Sequence, residues 1–435
     1  MTITAERIGR SAVASFPGVA DRLLAGVTAR EDLDAYRATG GFAPLADPPA
    51  LAAAVDAAGL RGRGGAAFPL GRKLAAVRAV AAAAGSPPVV VANGEEGEPA
   101  SVKDRWLLRH RPHLVLDGLR LAAALVGAGE VHAYVADGES AASLRSAAAE
   151  LAARSVWDAG LVVTVVAPGY VAGEETALVR AVNGGPALPT EKPPRPFEAG
   201  IGGRPTLVSN VETLALLPLL QRLGTAAYGA AGETFLLTLT GCVAVGLYEV
   251  PFGVTLREVL AWRGVAPAGV PGVVMGGYFG GLLGPAALDL PLDYDAVRRA
   301  GSGLGCAAIA VIPPGDCPLR LAGALMAYFA LENAGQCGSC FNGTAAMRVA
   351  LDALREGRGG PPEVERLRYL SGFLPGRGAC GTLDGASAVA ASLLREFPDV
   401  VTAHVRGGCD TCASSPDVPG PPFAVEPPSA EGATP

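Results

Sequence analysis

Residues 88–99 read Pro88-Val89-Val90-Val91-Ala92-Asn93-Gly94-Glu95-Glu96-Gly97-Glu98-Pro99, and the step from apolar to acidic inside this stretch decides the fold. Residues 89–92 are apolar without alternation, so a strand there is buried on both faces, the habit of parallel sheets covered by helices. The acidic, glycine-rich segment follows at the strand's carboxyl end, where α/β sheets place their ligands. Outward from it the alternation continues, with a helix over 114–125, a strand over 131–135, a helix over 141–153 and a strand over 161–166. Upstream, Asp47-Pro48-Pro49 reads as an N-cap followed by prolines in the first turn, and the helix it starts runs over 50–58 before Gly59. These elements predict an α/β domain over 47–230.

Past residue 235 the rhythm changes. Strands over 235–239, 246–250 and 272–275 surround one helix over 256–262, a small α+β unit placed at 231–318. From there the pattern is helical, over 320–333, 344–356, 362–372 and 386–404, giving a helical bundle at 319–405. Residues 1–46 read as a helical arm. Residues 406–435, rich in Pro, Gly and Ser, read as a disordered tail.

The chain has 435 residues, half of them apolar and a sixth charged, with a net charge of −6. That excludes wholesale disorder and gives no reason to expect nucleic acid or an anionic membrane as partner. Glu6, Arg7 and Arg10 interrupt any opening apolar run, so no secretory signal is expected. The longest uncharged run, 264–288, is studded with Gly and Pro and reads as strands and turns rather than a membrane span. A cytoplasmic protein without direct membrane insertion is expected.

Three polar segments carry the chemistry. In the first, residues 59–73, glycines at 59, 62, 64 and 65 let backbone N–H groups approach a phosphate, with Arg63 and Lys73 adding positive charge; a plain mobile loop explains the glycines as well. The second, residues 93–99, packs carboxylates and an amide beside a buried strand, an arrangement that suits a polar ligand edge or, alternatively, a solvated acidic turn. The third is Tyr170-Val171-Ala172-Gly173-Glu174-Glu175-Thr176, followed by Lys192-Pro193-Pro194 and Ser209-Asn210-Val211-Glu212-Thr213; its acids are also ordinary first-turn residues of a helix.

Taken together, in this order and spacing, the three segments resemble the flavin- and NADH-binding subunit of complex I and the related flavoproteins of NAD-linked hydrogenases and formate dehydrogenases, over residues 30–405. The resemblance implies a Rossmann-like FMN domain, a β-grasp (ubiquitin-like, soluble ligand-binding) module and a C-terminal helical bundle. It implies FMN against Gly62, Arg63, Gly64 and Lys73, with Asn93, Glu95, Glu98, Tyr170, Gly173, Glu174, Glu175, Asn210 and Thr213 around the flavin. NADH or NADPH would stack over the flavin, helped by Phe68, Glu98, Glu175 and Lys192, and the chemistry would be the cofactors' own. Electrons would pass to an iron–sulfur centre or a ferredoxin-like partner, within an assembly of other oxidoreductase subunits. The chain departs from the family's pattern at Ala67 (usually Gly), Leu70 (Thr), Leu74 (Trp), Glu95 (Asp) and Arg195 (an aromatic). An arginine at 195 leaves NADH, NADPH or no nicotinamide open, the last being an FMN module that exchanges electrons with a ferredoxin-like protein.

All eight cysteines lie after residue 240, and thiols or metal ligands are expected in preference to disulfides. Cys337 and Cys340, at i and i+3, with Cys380 later, suit an iron–sulfur site or zinc. The family's run of cysteines at i, i+3 and i+6 lacks its first member here, Ala334. Three outcomes stay open: a 4Fe-4S or three-iron cluster on three cysteines, a fourth ligand swung in from Cys409 or Cys412, or loss of the cluster. Cys242, Cys306 and Cys317 read as core or loop thiols, Cys306 being a remote candidate ligand.

Overall fold

A computed structural model describes residues 12–19, 22–158, 160–230, 233–242, 244–407, 409–414 and 420–427. Among them lie ten strands: β1 (Ala12–Ser15), β2 (Val89–Gly94), β3 (Glu130–Val135), β4 (Val162–Val165), β5 (Thr206–Asn210), β6 (Thr234–Gly241), β7 (Gly246–Pro251), β8 (Val273–Val274), β9 (Leu282–Leu283) and β10 (Ala308–Val311).

The first sheet runs β4-β3-β2-β5, all parallel, with Val89 opposite both Glu130 and Thr206. The expected two-faced burial of Val89, Val90 and Val91 is complete. The chain leaves β2 toward β3 and β4 and then returns to the other side as β5, so the strand order reverses between β2 and β5. A crevice for ligands opens at such a reversal, at the carboxyl ends of the strands. Asn93 and Gly94 end one of these strands and Asn210 ends the other.

Helices cover the sheet for legible reasons. Asp47 caps Pro48–Ala57 by accepting from the Ala50 amide at 2.9 Å, as its sequence predicts. Leu70–Ala84 buries Leu70, Leu74, Val77 and Ala81 on one face and stops at Gly85, whose φ of 60° is the left-handed C-cap that glycine tolerates. Pro112–Val126 lies so close to Val211–Ala230 that a Cβ on Gly118 would stand 2.0 Å from the Leu214 carbonyl oxygen.

The second sheet, β1-β7-β6-β10-β8-β9, has an antiparallel β6–β7 pair, with β10 parallel to β6 and the helix Leu256–Trp262 packed on it, a β-grasp arrangement. β1 pairs in parallel with β7, Ala12 opposite Gly246. This corrects the helical-arm expectation for the described part of 1–46: the segment is a sheet edge followed by a short helix, Leu33–Ala38, while residues 1–11 lie outside the described residues.

The bundle comprises Pro318–Glu332, Gly338–Arg355, Pro361–Phe373, Thr382–Glu396 and Pro398–Val405. The single helix expected over 386–404 is two, because Pro398 has no N–H to continue the ladder and Phe397 adopts φ −130°. The tail is also not irregular throughout. Asp410–Ser414 is helical, the Val425 amide donates to the Pro99 carbonyl at 3.0 Å, and Arg105 donates to the Val425 carbonyl at 2.9 Å. Among the described residues no helix is long and apolar enough to cross a membrane.

Candidate functional site

The three glycine-rich segments meet over the carboxyl ends of β2 and β5. The first is a closed loop: the Gly62 amide donates to the Phe68 carbonyl at 2.9 Å, and Arg61 bridges to Pro69. A Cβ on Gly64 would stand 3.2 Å from Asn210 Cβ, so the loop presses on the end of β5. Ala67 holds φ 51°, a left-handed conformation that costs an alanine about 1 kcal/mol. That is why glycine suits this place better. Phe68 projects from the loop, 51 % exposed.

The second and third segments are stitched to each other. Asn93 Nδ2 donates to the Gly173 carbonyl at 2.8 Å, and a Cβ on Gly173 would lie 2.3 Å from a Glu95 oxygen. Glu95 is buried beneath them; the Gly169 and Gly97 amides lie close to its carboxylate, but neither oxygen forms a well-aligned hydrogen bond among the described residues. Burial, with the neighbouring charges of Glu96 and Asp104, pushes its carboxyl up to about 8. The Tyr170 ring stacks on Phe279 at 5.5 Å, with Tyr328 and Phe329 edge-on, and its hydroxyl is buried without a partner among the described residues. Two orphaned polar groups at a strand switch point are what a bound polar heterocycle would satisfy.

The cations stand ready on the other rim. Lys73 lies 3.6 Å from Glu175, and Lys192 lies 2.6 Å from Glu174 and 3.3 Å from Glu175. Glu174 also caps the helix Glu175–Val182 by accepting from the Thr176 and Ala177 amides.

Two expected ligands point elsewhere. The Arg63 guanidinium is buried against Glu233, the Tyr294 hydroxyl and the Phe252 ring, so it ties the loop to the β-grasp module rather than facing a phosphate; its amide donates to Thr213 Oγ1 at 2.8 Å. Glu98 accepts from the Tyr278 amide at 3.0 Å, and burial lifts its carboxyl to about 7. Arg195 is exposed, its amide donating to Glu198 at 2.7 Å.

Sequence reasoning gave no role to the network below Asn210. Lys103 Nζ is buried 2.7 Å from Asp104, 3.0 Å from Glu212 and 3.4 Å from Asn210 Oδ1, while Asn210 Nδ2 donates to Asp104 at 2.6 Å. Against the cost of burial, Asp104, Glu212 and Glu96 hold the ammonium charged. The signal was present as Lys103-Asp104 beside an Asn-Val-Glu-Thr run, but the partners are 107 residues apart.

The cysteines separate into two groups. Cys337 and Cys340 flank the start of Gly338–Arg355, and Cys337 Sγ accepts from the Ala379 amide at 3.4 Å, which brings Cys380 alongside. Burial and the neighbouring thiols of Cys380 and Cys337 push Cys340 up to about 11, a crowding that a cationic metal centre would relieve. Gln336 moors this turn to the flavin side, accepting from Arg180 at 3.1 Å and donating to the Pro189 carbonyl at 2.8 Å. Cys409 and Cys412 do not join this group; they gather with His404 and with Cys317, which is buried in the bundle core as expected. Cys306 faces the Gly276 carbonyl.

The Nuo51 FMN-binding domain pattern matches residues 55–219, and that of the NADH-ubiquinone oxidoreductase-F iron-sulfur binding region matches 320–404. The F-subunit of NADH-quinone oxidoreductase from Mycobacterium tuberculosis (strain ATCC 25618 / H37Rv) is 35 % identical over 375 residues, 81 % of this chain and 84 % of that one. The chain belongs to the family of NADH-quinone oxidoreductase F-subunits. Its Escherichia coli K12 relative is 32 % identical over 401 residues, 86 % of this chain and 90 % of that one. The fold matches an NAD+-reducing [NiFe]-hydrogenase in the H2-reduced state at 29 % identity and a TM-score of 0.76, covering 87 % of this chain and 67 % of that one. The two family patterns fall on the crevice side and the cysteine side of the molecule, leaving the β-grasp module between them.

Glu95 makes a testable mark on the apoprotein. Its carboxyl titrates near 4.5 unfolded and about 8 folded, so its stabilising effect is full below pH 4.5 and is lost as pH rises through 8. Glu95→Gln apoprotein is therefore expected to be more stable than the parent at pH 8 by at least about 1 kcal/mol, the gain vanishing near pH 4.5. Urea unfolding at both pH values checks this; equal gains at the two would sink it.

Proposed function

We propose that the chain is the electron-entry subunit of an NAD(P)H oxidoreductase, taking reducing equivalents from NADH through FMN to an iron–sulfur centre. The observation that carries this reading is the buried Glu95 carboxylate, without a well-aligned hydrogen bond among the described residues and enclosed by the second and third glycine-rich segments at the strand reversal, where the first segment presses on the end of β5. Bound FMN supplies the two-electron to one-electron conversion. Gly62, Gly64 and Lys73 would hold its phosphate side. Asn93, Glu95, Tyr170, Gly173, Glu174, Asn210 and Thr213 would surround its ring. Phe68, with Glu175 and Lys192, would receive the nucleotide. Cys337, Cys340 and Cys380 would hold the iron–sulfur centre, with no cysteine in the fourth place. The division into a flavin domain at 47–230, a β-grasp module at 231–318 and a bundle at 319–405 follows from the same reading, and so does a cytoplasmic setting among other oxidoreductase subunits.

Anaerobic addition of NADH to the flavin-loaded protein is expected to bleach the flavin absorbance. Phe68→Ala is expected to raise the KM for the nucleotide about tenfold with little change in kcat, because a base stacked on an aromatic is worth about 1–3 kcal/mol. Flavin left unbleached by both NADH and NADPH would refute the reading. In its place would stand an FMN module reduced by a ferredoxin-like partner, which the exposed Arg195 and the inward-turned Glu98 favour.

A further inference from the structure

We infer that Cys317, His404, Cys409 and Cys412 form a zinc site separate from the iron–sulfur cysteines, and that it fastens the C-terminal segment to the helical bundle. The four ligand atoms all lie within 4.8 Å of one another. His404 Nε2 is 3.7 Å from Cys317 Sγ and 3.3 Å from Cys412 Sγ. Tetrahedral zinc with Zn–S near 2.3 Å and Zn–N near 2.0 Å sets ligand–ligand edges of roughly 3.5–3.8 Å, so the side chains stand within about 1 Å of where one ion would hold them. The cubane reading fails on the same distances. Thiolates of a four-iron cluster bind different irons around a bulky core and cannot crowd onto a single point.

The surroundings are those of a ligand set. His404 Nδ1 is 2.8 Å from the Val400 carbonyl, a contact that places the proton on Nδ1 and leaves Nε2 free as a donor to metal. The Cys412 amide donates to Cys409 Sγ at 3.4 Å, the inward turn that lets a Cys-x-x-Cys pair address one ion. Cys317 caps Pro318–Glu332 and His404 lies in the last turn of Pro398–Val405, so two bundle helices supply the fixed half of the site. A surface cavity of about 360 Å3, lined in part by Arg355, Gly407, Cys409 and Cys412, gives an ion a way in.

The consequence reaches the flavin crevice. Beyond the site, the Val425 amide donates to Pro99, and Tyr278 donates to the Pro422 carbonyl from the same loop that binds Glu98. A zinc ion at residues 409–412 would therefore fix the chain a few residues before 420–427, which lie against Pro99 at the end of the second flavin segment.

The test is metal analysis of the full-length protein purified anaerobically without added metal. About one zinc per chain is expected besides the cluster iron, falling below about 0.2 in Cys409→Ser while iron and bound flavin are retained. Cys409 is only half-buried, and circular dichroism checks that the variant is folded. Titration of the native protein with a thiol-reactive mercurial and a colorimetric zinc indicator gives the same reading without any variant, with about one zinc released. Absence of zinc in the native protein, a Cys409–Cys412 disulfide in its place, or a loss of iron rather than zinc in Cys409→Ser would each overturn the assignment.

Discussion

Lys103→Met is expected to lower the stability of the apoprotein by about 3–5 kcal/mol at pH 8, the scale on which a buried ion pair fails when one partner is removed. Lys103 is the cation shared by Asp104 and Glu212, and all three are buried. Methionine fills a similar volume but leaves both carboxylates without their cation, and Asp104, whose carboxyl burial already pushes up to about 7, must then bind a proton or stay charged in a poor medium. The loss should therefore shrink as pH falls toward 5, where protonation relieves the repulsion. Asn210 loses one of the two partners of its Oδ1 at the same time, keeping the Glu212 amide at 3.0 Å, so the end of β5 on which the Gly64 loop rests is held less firmly and flavin retention should fall as well. Urea unfolding at pH 5 and pH 8 measures the first effect, and flavin content after gel filtration measures the second. A loss below 1 kcal/mol at pH 8, or one that does not depend on pH, would show that the network is not the keystone of this crevice.

The parts of this architecture that could be read from sequence are those whose physics is local. The Val89–Val91 run announces a two-faced strand by itself, and Asp47-Pro48-Pro49 announces a helix start by itself. Where a residue's fate depends on a distant partner, sequence reading went astray. A cation inside a glycine-rich loop suggests a phosphate, yet the carboxylate that claims Arg63 is Glu233, 170 residues away. β1 is four residues of modest hydrophobicity, and only its pairing with β7, more than 230 residues later, makes it a strand. Cys409-x-x-Cys412 was visible as a pair, but its completion by Cys317 and His404 required the bundle to close. Glu98, expected at the flavin, shows the same effect, since the backbone it binds belongs to the β-grasp module.

Ala334→Cys is expected to raise the iron content of anaerobically purified protein to about four per chain, where the parent falls short of it. Asn333 closes the helix Pro318–Glu332 by donating to the Phe329 and Ala330 carbonyls, and Gly335 turns the chain at φ 64° toward Cys337. Position 334 thus sits on a fixed reversal whose far side carries two thiols at the amino end of an eighteen-residue helix, a positively polarised end that favours thiolates. Cys380 is drawn in by the Ala379 amide on Cys337 Sγ, so three sulfurs converge and the fourth corner is left to a group that is not cysteine. Asp384 stands near enough to push the Cys340 thiol up, but its Oδ1 already accepts from the Gly376 amide at 2.6 Å, so it is a poor substitute for a thiolate. An iron without a thiolate is the one most readily lost to air, and a cysteine at 334 should abolish that sensitivity. Iron and sulfide assays before and after brief exposure to oxygen decide the matter. Equal iron in the two proteins, equally stable in air, would mean that the fourth corner is already firmly held by another residue of this chain.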